Sequence, residues 1–144
     1  MKRFKFRLQR VLDFKTTEKR ETERELAQRN HELHSAEIRL EAIRKAQDLA
    51  RLEAETTAAE LILHGSYQAR LREALVEQRL MVLDAARAVE EARDAYTAKA
   101  IETETLENVK DRRQTEHKEE LEREKRKVVD QIVVQRHRLR KNAI

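Results

Sequence analysis

Apolar residues recur along this chain at alternating intervals of three and four positions, which is the spacing of a coiled-coil seam. In the first half the strongest part of the seam contains Leu26, Leu33, Ala36, Leu40 and Ile43. In the second half the seam contains Leu71, Leu75, Gln78, Val82, Ala85, Val89, Ala92, Tyr96, Lys99, Thr103 and Leu106. Charged and polar residues fill the positions between. The pattern predicts an all-α protein with two long helices.

Gly65 is the only glycine of the chain, and the chain has no proline. Glycine commonly follows the end of a helix, where φ turns positive. We therefore predict an antiparallel coiled-coil hairpin, a single domain over residues 1–144 with its turn near Gly65. Its first helix would cover about 4–63, its turn 64–66 and its second helix about 67–140. The alternative is one unbroken helix that tolerates the glycine at a cost of about 1 kcal/mol.

A fold at Gly65 pairs residues whose numbers add to about 130, so that Leu40 faces Val89 and Leu33 faces Tyr96. Met1 then lies opposite Asp130, and a C-terminal helical overhang has no partner within the chain. Apolar side chains surround this helix at Val128, Val129, Ile132, Val133 and Val134. A helix that is apolar on every side is normally buried. We expect the overhang to bind a partner, with self-association of the ends as the alternative.

Charge is unevenly distributed along a chain in which 42% of the residues are charged. Residues 1–24 carry nine basic and four acidic side chains, residues 25–109 eleven and seventeen, and residues 110–144 twelve and seven. The predicted hairpin would thus have a basic end, which contains both termini, and an acidic end at the turn. Two ends of opposite charge suggest two different partners.

Several functional classes are disfavoured by the composition. One glycine is too few for a Walker A loop or a dinucleotide-binding motif, and the lack of cysteine excludes disulfides and cysteine-based zinc sites. His31 and His34 are three residues apart, not the four that a zincin helix requires. We expect no enzyme activity, no cofactor and no metal. The basic N-terminal segment is short and interrupted by acids, so nucleic-acid binding is not favoured.

Targeting to or across a membrane is also not indicated. No apolar stretch follows the basic N-terminus, as a secretory signal requires, and no segment has the apolar length of a membrane span. We expect a cytoplasmic protein without direct membrane insertion. It could still associate peripherally with the inner face of the cell membrane through a larger assembly.

The segment Phe4-Lys-Phe6-Arg-Leu8-Gln-Arg-Val11-Leu12-Asp-Phe14-Lys15 resembles the start of FliJ-family proteins of the bacterial flagellar export apparatus. Length and the two-helix pattern are similar as well. The resemblance implies a stalk similar to the γ subunit of rotary ATPases, with both termini in the pore of the hexameric export ATPase, FliI. It also implies binding to the export-gate protein FlhA and, for some members, to export chaperones. Stalk proteins of virulence type III secretion, the YscO group, share this architecture.

Site residues follow from the resemblance together with the apolar side chains at both ends of the chain, which the predicted hairpin leaves free. At the N-terminus, Phe4, Leu8, Val11 and Leu12 form one such face. Expected ATPase contacts are Phe4, Leu8, Val11, Leu12, Val128, Ile132, Val133, Arg136 and Leu139. Expected gate contacts, which the resemblance alone implies, are Arg39, Ile43, Tyr67, Gln78 and Arg79. Two tyrosines at the gate-contacting positions of one family member correspond to Ala46 and Ala50 here. The alternative function is a structural coiled-coil scaffold or stalk of another complex.

Overall fold

Two long α-helices, α1 (Gln9–Leu52) and α2 (Ala58–Asn142), make up nearly all of the computed structural model, which describes residues 2–53 and 57–143. No strand occurs within these ranges. The helices pack against each other and run antiparallel, as the paired contacts below show. The predicted all-α fold with two long packed helices is therefore confirmed.

The chain divides into two compact units. The central unit, Thr17–Ala100, contains the C-terminal part of α1 and the N-terminal part of α2. Three contacts fix its pairing: Lys99 Nζ lies 3.2 Å from Glu18 Oε2, Gln78 Nε2 donates to the Ala36 carbonyl oxygen, and His64 Nδ1 lies 3.7 Å from Glu53 Oε2. From one contact to the next, the residue number rises in one helix and falls in the other, so the helices are antiparallel. The two residue numbers of each contact add to between 114 and 117. The buried residues of this unit are Leu40, Ala50, Gln78, Val89 and Ala92.

The terminal unit combines the described residues of Met1–Thr16 with those of Ile101–Ile144. Lys15 Nζ lies 2.9 Å from Glu102 Oε2, and Thr103 Oγ1 donates to the Lys15 carbonyl oxygen at 3.2 Å. Farther along α2, His117 Nε2 lies 3.2 Å from the Lys2 carbonyl oxygen. Because Lys2 already reaches His117, no described N-terminal residue remains to pair with the last part of α2.

The predicted turn at His64-Gly65-Ser66 is wrong, because these residues lie inside α2. Thr57 starts this helix through a capping box with Glu60: Glu60 N donates to Thr57 Oγ1 at 3.2 Å, and Thr57 N donates to Glu60 Oε2 at 3.3 Å. The connection between the helices therefore precedes Ala58, and its residues 54–56 lie outside the described part of the chain. The helix bounds predicted as 4–63 and 67–140 are corrected accordingly.

The pairing register changes with the turn. In the contacts of the central unit, the two residue numbers add to about 116 rather than 130. Leu40 therefore does not face Val89, and Leu33 does not face Tyr96. The N-terminus also differs from the prediction, since residues 2–6 are not helical and α1 begins only at Gln9. Gln9 N donates to the Phe6 carbonyl oxygen at 3.1 Å, which closes the turn that leads into α1.

Candidate partner-binding surfaces

The last part of α2 is exposed on every side. All described residues from 122 to 143, hereafter the free C-terminal stretch, are exposed, whereas Leu121 is half-buried. The apolar side chains at Val128, Ile132, Val133, Val134 and Leu139 keep 46–69% of their area accessible. The predicted overhang is therefore present, and it begins earlier than Val128 because the shifted register pairs the N-terminus with His117.

Charge and apolar surface occur together in the free C-terminal stretch. Residues 125–141 carry seven Lys and Arg side chains against the single acid Asp130. Basic residues 125–127 precede the apolar segment 128–134, and Arg136, Arg138, Arg140 and Lys141 follow it. At the start of this region a shallow groove of about 440 Å³ is lined by Leu121, Glu124, Lys125, Val128 and Val129. The surface suits a partner that offers apolar contacts between acidic groups.

The N-terminal residues predicted to contact an ATPase are largely used by the terminal unit itself. Leu12 is only 6% exposed, and Leu8 and Phe4 are half-buried. The Phe4 ring lies 5.6 Å from the His117 ring, which helps to hold residues 2–6 against α2. Our expectation that the hairpin leaves all of these side chains free is thus corrected. Val11 remains exposed on α1, together with Phe14, whose exposure the seam pattern alone did not single out.

The residues that the resemblance assigns to gate binding lie in the central unit but differ in accessibility. Arg39, Tyr67 and Arg79 are exposed, and Ile43 is half-buried. Gln78 is 8% exposed, and its Nε2 donates to the Ala36 carbonyl oxygen at 3.0 Å. Gln78 therefore has a packing role between the helices, whereas the three exposed residues are available to a partner.

Near the connection between the helices the structure exposes apolar side chains that the sequence reasoning missed. These are Leu49, Leu52, Leu61, Ile62 and Leu63. The missed signal was the sequence Thr57-Ala-Ala-Glu60, a capping-box pattern that places the start of α2 before this apolar run. With the predicted turn at Gly65, residues 61–63 were instead assigned to the first helix.

Among the described residues, no cluster of three His, Cys, Asp or Glu side chains could hold a metal ion. The pKa of Glu32 is lowered, first because Gln28 donates a hydrogen bond to its carboxylate at 3.3 Å and then because Arg29 does so at 3.1 Å. Glu32 is thus engaged with its own helix. In 2–53 and 57–143, neither helix has the apolar length that crossing a membrane requires.

Comparison with known proteins identifies a family to which the chain is similar. No curated protein and no solved structure matches the chain. The family model described as "Flagellar FliJ protein" matches residues 4–142, which is nearly the whole chain and includes both helices and the free C-terminal stretch. The suspected resemblance is thereby confirmed. The chain belongs to the FliJ family of flagellar proteins and is a component of the flagellar type III export apparatus.

Proposed function

We propose that this chain is a non-enzymatic stalk that binds the hexameric export ATPase through the free C-terminal stretch of α2. The observation that carries the proposal is the exposure of this helix on every side, although it is rich in valine and isoleucine. Burial in the pore of a ring would cover all sides of one helix at the same time. A flat surface would cover only one side.

The charges of the same stretch favour this partner. Basic residues precede and follow the apolar segment 128–134, so a pore with acidic groups on both sides of an apolar belt would complement them. Because such a ligand binds only the assembled ring, it stabilises the hexamer by mass action. The stalk would thus raise ATP turnover by promoting assembly, without any catalytic group of its own.

We place the second contact, with the export-gate protein, on the central unit. Arg39, Tyr67 and Arg79 are exposed there, as are the apolar residues of the missed cluster, Leu49, Leu52, Leu61, Ile62 and Leu63. Exposed apolar side chains next to arginine and tyrosine are typical of protein-binding surfaces. The chain would then link the ATPase to the gate and remain at the cell membrane through these proteins alone.

The ATPase contact is tested with a double substitution, Ile132→Glu and Val133→Glu. Each change removes an apolar contact worth about 1.5–3 kcal/mol when fully buried, so we expect the concentration needed for half-maximal ATPase stimulation to rise at least roughly tenfold. Helix content should not change, because glutamate is a good helix former and both positions are exposed.

The matched control replaces Ile38 and Ile101 by glutamate, since both are exposed apolar residues of the same helices outside the free C-terminal stretch. This variant should stimulate the ATPase as the unchanged protein does. If the Ile132/Val133 variant stimulates the ATPase with unchanged potency, the free C-terminal stretch is not the ATPase-binding element.

A further inference from the structure

A second apolar seam lies on α2 in the central unit, on the side that faces away from α1. Val76, Leu80 and Leu83 are 55–57% exposed and follow one another at intervals of four and three. At 100° per residue, Val76 and Leu80 both point about 160° away from Gln78, which bonds to α1. The packing of α1 against α2 therefore leaves this seam, hereafter the outer seam, uncovered. The proposed ATPase contact does not use it, whereas Arg79 at its edge also belongs to the proposed gate contact.

Charged residues border the outer seam in an ordered way. Arg72 and Arg79 lie along one edge, and Glu77 and Asp84 lie along the other. In the heptad in which Leu80 is position a and Val76 and Leu83 are position d, the arginines take position g and the acids position e. All four side chains are exposed, and no salt bridge joins any of them to another described residue.

We propose that the outer seam binds a second copy of this chain in parallel and in register. In a parallel coiled coil, position g of one helix meets position e five residues later in the other. Arg72 then pairs with the partner's Glu77, and Arg79 with the partner's Asp84, and two-fold symmetry repeats both pairs. An antiparallel arrangement would bring arginine beside arginine and acid beside acid. The charges at positions e and g are thus self-complementary in the parallel orientation only.

The strength of this dimer is limited by the length of the seam. Glu73 and Arg87 take the neighbouring a positions, where each would lie beside the same charged residue of the second copy. The continuous apolar part therefore covers only two helical turns between them. Small interfaces of this kind give weak, exchanging complexes. The dimer would therefore form at high local concentration and separate readily. It is independent of the proposed ATPase contact, which lies on residues 122–143.

Cysteine cross-linking tests both contact and orientation, because the chain has no cysteine of its own. Val76→Cys and Leu83→Cys are made separately in the full-length protein and oxidised under mild conditions. In a parallel, in-register dimer each introduced thiol lies next to its own counterpart, so both variants should form disulfide-linked dimers. Ile38→Cys on α1, where the side chain is equally exposed, is the control for cross-linking by random collision. It should cross-link at least several-fold more slowly.

Charge reversal tests the pairing of the edges in the Leu83→Cys background. Arg79→Glu replaces two attractive pairs per dimer by two repulsive ones, so cross-linking should require a roughly tenfold higher protein concentration. Adding Asp84→Arg to Arg79→Glu restores opposite charges and should restore cross-linking. Failure of the double variant to recover, or equal cross-linking at Ile38→Cys, would overturn the proposal. Cross-linking at neither Val76→Cys nor Leu83→Cys would also overturn it, whatever the result of the ATPase measurements.

Discussion

Two buried polar side chains define how the helices pair. Thr103 is only 1% exposed and donates from Oγ1 to the Lys15 carbonyl oxygen, and Gln78 donates to that of Ala36. The other buried residues of the described chain are apolar, so a displaced register would bury these two polar groups without partners. Leaving a buried polar group unsatisfied costs about 1–3 kcal/mol. Each residue therefore favours one register in its own unit.

Replacing Thr103 by valine isolates the hydroxyl group, since the two side chains have nearly the same shape. We expect the free energy of unfolding to fall by about 1 kcal/mol, because the hydrogen bond to Lys15 is lost without a change of volume. Thr115→Val is the matched control, as Thr115 is exposed and donates only to the Asp111 carbonyl oxygen of its own helix. Denaturant unfolding of the two variants gives the comparison, and equal effects would show that the Thr103 contact does not stabilise the pairing.

At this scale the sequence predicted which residues belong to the seam but not their partners. Leu40, Val89 and Ala92 were expected in the seam and are buried. Gln78 was also assigned to the seam, but its hydrogen-bond acceptor depended on the register and hence on the position of the turn. The sequence would have predicted the contact between Gln78 and Ala36 only if the turn had been placed before Ala58.

The start of α2 lies where local capping is available rather than where the single glycine lies. Thr57 and Glu60 satisfy each other's backbone N–H groups at the start of α2, which favours helix from Ala58 onward. Gly65 lies seven residues inside the helix and has no positive φ. A glycine inside a helix is tolerated when the helix is long and packed, at a cost of about 1 kcal/mol relative to alanine.

Gly65→Ala should accordingly stabilise the protein by about 0.5–1 kcal/mol. A Cβ atom built at Gly65 has no heavy atom within 4 Å apart from its own helix backbone and its chain neighbours, so the methyl group meets no obstacle. Thr57→Ala provides the comparison and should destabilise by about 1 kcal/mol through loss of the cap. The measurement is the denaturant midpoint of both variants. Destabilisation by Gly65→Ala together with no effect of Thr57→Ala would instead favour a turn at Gly65.

The helical periodicity predicted the type and approximate length of both elements, since a seam extending over many turns has few competing interpretations. The turn was misplaced because the prediction gave the glycine more weight than the capping box. Glycine frees the backbone but does not force a helix to end, whereas a capping box directly satisfies the N–H groups that a helix start exposes. The non-helical conformation of residues 2–6 had no comparable sequence signal.

For the binding function of the whole molecule, the exposed apolar residues are more informative than the buried ones. Much of the exposed valine, isoleucine and leucine lies in three places: the free C-terminal stretch, the cluster around residues 49–63 and the outer seam. The first was expected from the sequence, because no pairing within a two-helix chain can cover every side of a helix. The other two depended on the position of the turn and on which side of α2 faces α1.

Membership in the FliJ family, whose model matches residues 4–142, agrees with a chain that consists largely of two long helices. We expect the strongest contact at the free C-terminal stretch, where apolar and basic groups coincide. Removing that stretch should leave the packed parts intact, because none of its described residues is buried.

The most direct measurement compares the full chain with a version that ends at Leu121, each mixed with the export ATPase of the same organism. ATP turnover and the mass of the ATPase assembly are recorded in the same samples. We predict that the full chain raises turnover and shifts the ATPase to the hexamer, whereas the shortened chain does neither while keeping the helical circular-dichroism signal expected for its length. Equal stimulation and equal hexamer formation by the shortened chain would contradict the account.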